Sequence, residues 1–144
     1  MKTKTLQLVA LFFLGLGTTF AQDMLSSQVP SVIMNNFKKE FPKANDVEWE
    51  RQGELYQVDF EIGWFTDYDA LFNASGKLVK YTKEISKSDL PKAVAKAVKN
   101  KYGEYRIDDV KKIIENGTEK YLIDLEKWDE EFQVVYSKSG KLIL

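Results

Sequence analysis

The chain has 144 residues, 44% of them apolar and 30% charged, with a formal net charge of −1 and neither cysteine nor histidine. That length suits one domain, or two very small units sharing a core. The missing residue types exclude thiol nucleophiles, disulfides, the usual N/S zinc sites and imidazole acid–base chemistry, and no basic block marks a nucleic-acid footprint.

The chain opens with a short basic region, Lys2 and Lys4, followed by the apolar run LQLVALFFLGLG. Small residues at Thr19 and Ala21 then stand where a signal peptidase inspects the chain. The run is shorter than the ~20 apolar residues a bilayer-spanning helix needs. We therefore expect residues 1–21 to be a signal peptide, cleaved after Ala21, with no membrane insertion once it is removed. Losing Lys2 and Lys4 leaves 19 basic against 22 acidic residues, a net charge of −3. With no lipobox cysteine, the expected location is periplasmic or secreted. An exported domain without cysteine has to be held by its apolar core alone, which fits a bacterial periplasm.

Two segments then match at an offset of 61: VPSVIMNNFKKEFP (Val29 to Pro42) and LPKAVAKAVKNKYG (Leu90 to Gly103). In each, apolar residues recur at every fourth position: Val29, Ile33, Phe37 and Phe41, then Leu90, Val94, Val98 and Tyr102. That spacing is one stripe of a helix. Pro30 and Pro91 fall in the first turn, Ser88 or Asp89 is the expected N-cap of the second helix, and Pro42 and Gly103 are the stops.

After each helix the period changes from four to two. LYQVDFEI (Leu55 to Ile62) and YLIDLE (Tyr121 to Glu126) alternate apolar and polar residues, as do Tyr68, Ala70, Phe72 and their counterparts Phe132, Val134, Tyr136. Alternation of this kind marks antiparallel strands with one wet face. The nearly identical pentapeptides SGKLV (Ser75 to Val79) and SGKLI (Ser139 to Ile143) read as hairpin turns, with Gly76 and Gly140 supplying positive φ and Leu-Val or Leu-Ile starting a closing strand. The Leu after each Lys rules out a phosphate-binding P-loop. The expected fold is α+β: two tandem helix-plus-four-stranded antiparallel repeats, residues 22–86 and 87–144, forming one compact unit with the helices packed on one face of the sheet.

A leader followed by tandem copies of a Leu/Val-Pro helix, a Y-x-(V/I)-D-(F/L)-E strand and a terminal SGKL(V/I) resembles the PepSY-like, β-lactamase-inhibitor-like family of exported bacterial proteins. The resemblance covers Val29 to Leu144. It implies helix-plus-antiparallel-sheet repeats whose open sheet face binds other proteins, with inhibition as the activity of some relatives. The chain departs from the β-lactamase inhibitor itself in having no disulfides.

Asp59 and Glu61, and likewise Asp124 and Glu126, alternate onto one face of a strand, about 7 Å apart by strand geometry. That separation would suit a hydrolase pair; a solvated sheet face explains the same residues. A calcium site around Trp128 to Glu131 lacks the D-x-D-x-D-G spacing that wraps the ion. Trp64, next to Phe65, and Trp128 stand at the tips joining the second and third strands of the two copies. They either cap the core or are exposed anchors, since Trp dominates interface hot spots. The wet face is expected to show Asp59, Glu61, Asp67, Asp69, Asp124, Glu126 and Glu131 around Leu71 and Val135, which would suit a basic protein or peptide partner. The expectation is an exported, non-enzymatic binding or inhibitor-like module with no cofactor or metal. The alternatives are a small secreted hydrolase using paired Asp/Glu and a structural envelope component.

Overall fold

The computed structural model describes residues 22–144, so the expected signal peptide lies outside the described residues. Strand β1 (Gln22–Met24) leads into helix α1 (Ser31–Glu40), followed by β2 (Ala44–Gln52), β3 (Leu55–Ile62), β4 (Thr66–Phe72) and β5 (Leu78–Glu84). Helix α2 (Lys92–Tyr102) then precedes β6 (Arg106–Glu115), β7 (Thr118–Lys127) and β8 (Glu130–Ser137). The eight strands form one antiparallel sheet in chain order.

Each helix begins the same way. A 3-10 turn, Ser26–Gln28 or Lys87–Asp89, delivers the chain to a proline. Pro30 and Pro91 sit at the N-cap, one position earlier than the first turn, and lack a side-chain cap. Their carbonyls accept the first helical bonds, from Ile33 at 3.0 Å and from Ala95 at 3.0 Å. This corrects the expected capping of α2 by Ser88 or Asp89. Those residues lie in the 3-10 turn, which Ser86 caps by accepting from the Ser88 amide.

The apolar stripes pack on one face of the sheet, but as two separate clusters. Ile33 and Phe37 of α1 lie on Trp49, Tyr56, Val58, Phe60, Ala70 and Phe72. Val94 and Val98 of α2 lie on Val110, Tyr121, Ile123, Leu125, Val134 and Tyr136. Between them β5 pairs with β6 through Tyr81↔Ile114 and Lys83↔Lys112, so the sheet, more than a shared core, joins the halves.

The repeated SGK now has a packing reason as well as a conformational one. Gly76 and Gly140 both hold φ +84°, and each turn lies directly on the helix of its own repeat. A Cβ at Gly76 would come within 2.8 Å of Asn36 Nδ2, and one at Gly140 within 2.6 Å of the Ala93 carbonyl oxygen. Asn36 Nδ2 also donates to the Gly76 carbonyl at 2.8 Å.

The four-plus-four division of strands needs correction. β1 is an additional strand, pairing Gln22–Met24 with Trp49–Arg51. The closing strand expected after Gly140 is reduced to one bridge, Leu142 to Tyr136. In repeat 1 the corresponding Leu78 begins β5, paired from Leu78↔Phe72 to Lys83↔Tyr68.

Candidate binding surface

The two hairpin tips are built differently. Ile62 pairs with Thr66, leaving the three-residue loop Gly63-Trp64-Phe65, whereas Lys127 pairs with Glu130 around the two-residue loop Trp128-Asp129. In the first, Gly63 takes positive φ (78°) and the aromatics follow it; in the second, Trp128 itself takes φ 60°. That is the position which type II′ turns give to glycine. A non-glycine residue there costs roughly 1–2 kcal/mol.

All three aromatics stand in solvent. Trp64 is 87% exposed, Phe65 89% and Trp128 90%. Of the two readings of the tip tryptophans, core capping is thereby overturned; Trp49 of β2, in contrast, is buried. Because β3 and β7 run in the same direction in an antiparallel sheet, both tips lie at one end of it. Four strand spacings separate them, about 19 Å along a flat sheet.

The helix-free face carries the carboxylates. Glu48, Asp59 and Asp69 lie in one cross-strand row, and Glu61 stands opposite Asp67. Burial raises the pKa of Asp59 above the ordinary aspartate value; the Gln57 hydrogen bond opposes this, and Asp69 and Glu48 add to it. Asp69 accepts a hydrogen bond from the Thr82 hydroxyl. Asp124 is also raised, first by burial, with Gln133 opposing and Asp109 adding. One of its oxygens, Oδ1, is buried without a hydrogen-bond partner. Glu126 is paired with Arg106.

Two expected site residues are placed otherwise. Val135 is only 1% exposed. It faces Leu122 across β7 and β8, and its backbone is taken up by Ile143 and Leu144, so it offers nothing to a partner. Leu71 is half-buried opposite Lys80 of β5. Glu48 and Glu50 were missed as members of the acidic set, although alternation about Trp49 already put them on this face.

The opposite side of the molecule is basic. Helix α2 contains no acidic residue, and Lys92, Lys96, Lys99 and Lys101 are exposed, as are Lys38 and Lys39 of α1. Two clefts open on this side, one of about 470 Å³ between the repeats and one of about 750 Å³ beside α1. Neither is lined by Asp59, Glu61, Asp124 or Glu126. Among the described residues no group of three or more acidic side chains is arranged to hold a metal ion, and no helix is long and apolar enough to cross a membrane.

Two helices packed on one face of an eight-stranded antiparallel sheet define a small α+β fold. The chain belongs to the family described as "Putative beta-lactamase-inhibitor-like, PepSY-like", whose model matches residues 20–80 and again 56–144. Solved structures share the fold. A BLIP-like protein from Bacteroides fragilis has a TM-score of 0.69 at 22% identity, covering 80% of this chain and 83% of its own. A DUF2874 family protein from Bacteroides ovatus gives 0.71 at 23%, covering 80% and 84%. A protein of Bacteroides eggerthii described as "putative periplasmic" gives 0.73 at 17%, covering 81% and 86%. No curated protein matches the chain.

Proposed function

We propose that this is an exported, non-enzymatic protein-binding module whose partner is gripped by the aromatic tips and drawn in by the acidic sheet face. The observation that carries this reading is Trp128, 90% exposed in a left-handed backbone position where glycine would be relaxed. Folding gains little from an exposed indole and loses by the strain. A residue kept at such a position is explained by something it touches outside the chain. Trp64 and Phe65 on the neighbouring tip give the partner a second anchor. Glu48, Asp59, Asp69, Glu61 and Asp67 favour a basic partner and raise its rate of encounter. The family's name and the periplasmic description of one structural relative support an inhibitor-like role outside the cytoplasm.

The experiment is capture from a cell-envelope extract by the wild-type chain and by the Trp64→Ala/Phe65→Ala/Trp128→Ala variant, with identification and titration of what is retained. Loss of capture by at least tenfold, with Tm unchanged or raised, is the expected result. Equal capture by a folded triple variant would remove the tips from the binding surface. A hydrolase using Asp59 or Asp124 would instead show turnover in a broad glycoside and peptide screen that Asp59→Asn/Asp124→Asn abolishes.

A further inference from the structure

The two apolar clusters stop short of each other, and a pair of lysines lies between them. On the helix side of the sheet one cross-strand row runs Phe60, Tyr68, Lys83, Lys112, Tyr121, Tyr136. The end of α1 covers the row at its start, where the Phe41 ring lies 4.7 Å from that of Phe60 and 6.3 Å from that of Tyr68. At the other end Tyr121 and Tyr136 are buried in the cluster under α2. The middle is open. Lys83 and Lys112 line the cleft of about 470 Å³ between the repeats.

This is an unfavourable place for two lysines. They are direct partners across β5 and β6, and like charges directly opposite each other destabilise a sheet. Both are half-buried, so salt screens their repulsion less than it would on an open surface. Lys112 has a counterion. Its ammonium lies 2.9 Å from Glu119, a hydrogen bond that raises its pKa and keeps it charged. Lys83 lies over the Tyr68 ring, 5.7 Å from the centroid, and makes no ion pair among the described residues. Two apolar residues at these positions would have joined the clusters into one core. Fold stability therefore does not account for the pair.

We infer that this cleft is a binding site for a small aromatic carboxylate. Side chains directly opposite in a sheet start about 5 Å apart, so one carboxylate can reach both ammonium groups, one oxygen to each. Phe41, Tyr68, Tyr81 and Tyr121 put rings around the same space, against which a flat apolar body packs. Aromatic walls with a few converging polar groups, in a cleft of this size, are what small-molecule sites are commonly made of. Asp89, on the 3-10 turn before α2, also borders the cleft. Its charge disfavours a second negative group on the ligand, which selects a monocarboxylate over a dianion. The site lies on the opposite side of the sheet from the acidic face and uses neither tip, so it stands apart from the protein-binding reading.

The probe is naphthoate, titrated into the whole exported protein, with ring proton shifts of the tyrosines and tryptophans read in parallel. The expected result is saturable one-to-one binding that shifts Tyr68, Tyr81 and Tyr121 but not Trp64 or Trp128. The neutral analogue naphthylmethanol should bind at least about tenfold more weakly, as for loss of a charge-assisted hydrogen bond. Lys83→Gln should lower affinity for naphthoate by about the same factor. Its ligand-free Tm should be unchanged or raised, because one of two opposed like charges is gone. Lys83→Arg should restore binding, and Lys96→Gln/Lys99→Gln, on exposed lysines of α2, should leave it as in the wild type. Absence of saturable binding, equal affinity for the neutral analogue, or unchanged affinity in a folded Lys83→Gln variant overturns the inference. So does an equal loss in the α2 variant, which would put the anion on general surface charge, or a shift confined to the tip tryptophans. Capture of a protein partner by the tips is measured separately and is indifferent to each of these results.

Discussion

The first repeat is packed with rings and the second mainly with aliphatic chains. Phe37 alone meets Phe60 at 5.1 Å, Trp49 at 5.2 Å and Phe72 at 6.3 Å, all near-perpendicular. Under α2 the equivalent place is filled by Val98 against Val110, Ile123 and Leu125, and the rings of Tyr102, Tyr105 and Phe132 gather at the end of the helix instead. The strand pairing is nevertheless the same, Val58↔Ala70 in one and Ile123↔Val134 in the other. What the two repeats hold in common is geometric: a proline before the helix, alternation in the strands, and a glycine where the turn presses on the helix. The side chains filling the space between differ freely once the volume is right.

The largest expected effect tests whether one sheet makes the two clusters fold as one. Phe37→Ala should cost about 3–5 kcal/mol, as for truncation of a packed aromatic. We expect a single, lowered unfolding transition with protection lost in both repeats, because neither is large enough to stand unstapled. Two resolved transitions, with β6–β8 still protected from exchange, would make the repeats independent. Residues 22–86 expressed alone should likewise melt non-cooperatively.

The glycines sharpen the comparison. Gly76→Ala and Gly140→Ala both meet positive φ, worth roughly 1–2 kcal/mol. The new methyl at Gly76 presses first on a side-chain amide, whereas that at Gly140 meets a helix carbonyl that has to move as backbone. Gly140→Ala should therefore lower Tm more than Gly76→Ala; the reverse order would mean that the shorter closing segment of repeat 2 yields more readily than the helix beneath it.

The tips should respond with opposite signs. Trp128→Gly relieves a left-handed non-glycine residue and should stabilise the fold by about 1 kcal/mol. Trp64→Ala, whose loop already has Gly63 at the strained position, should change stability by less than about 0.5 kcal/mol. Chemical denaturation of the two variants checks both.

The smallest effects are in the titration. Lys138 and Lys112 hydrogen-bond Glu119 and hold its carboxyl at about 2. A lowered folded pKa adds stability above the ordinary value of 4.5, lost as pH falls from there toward 2. Asp59 has the opposite sign: its raised pKa is a penalty on the charged form, present at neutral pH and gone below the unfolded value of about 3.9. Glu119→Gln should flatten the acid limb of the Tm–pH curve, while Asp59→Asn should raise Tm at pH 7 and have no effect at pH 3.

Much of this was legible in the sequence because period is a local property. The fourfold stripes of Val29 to Phe41 and Leu90 to Tyr102, the alternation in Leu55 to Ile62, and the repeated SGK each follow from backbone geometry within a few residues. The exposure of Trp64 and Trp128 was not legible, because alternation ends at a hairpin tip and an aromatic there has no assigned side. Val135 was misread because the return of residues 143–144 to its backbone is a tertiary contact that strand alternation does not foretell. The bulge between Ile107 and Val110, which brings Asp109 near Asp124, breaks the period on which such reading depends.

In the first repeat the carboxylates of β2–β4 and the lysines of α1 stand on opposite sides of the sheet, which gives that half of the molecule a dipole component through the sheet. In the second, Lys111 and Lys120 on the carboxylate side weaken it. A cationic partner therefore exerts a torque as well as a pull, turning the sheet toward itself during approach so that fewer collisions end on the wrong side. That alignment reaches only as far as ions allow, about 8 Å at physiological ionic strength. In dilute salt the partner should meet the molecule already facing it, and in concentrated salt it should have to find the sheet by chance.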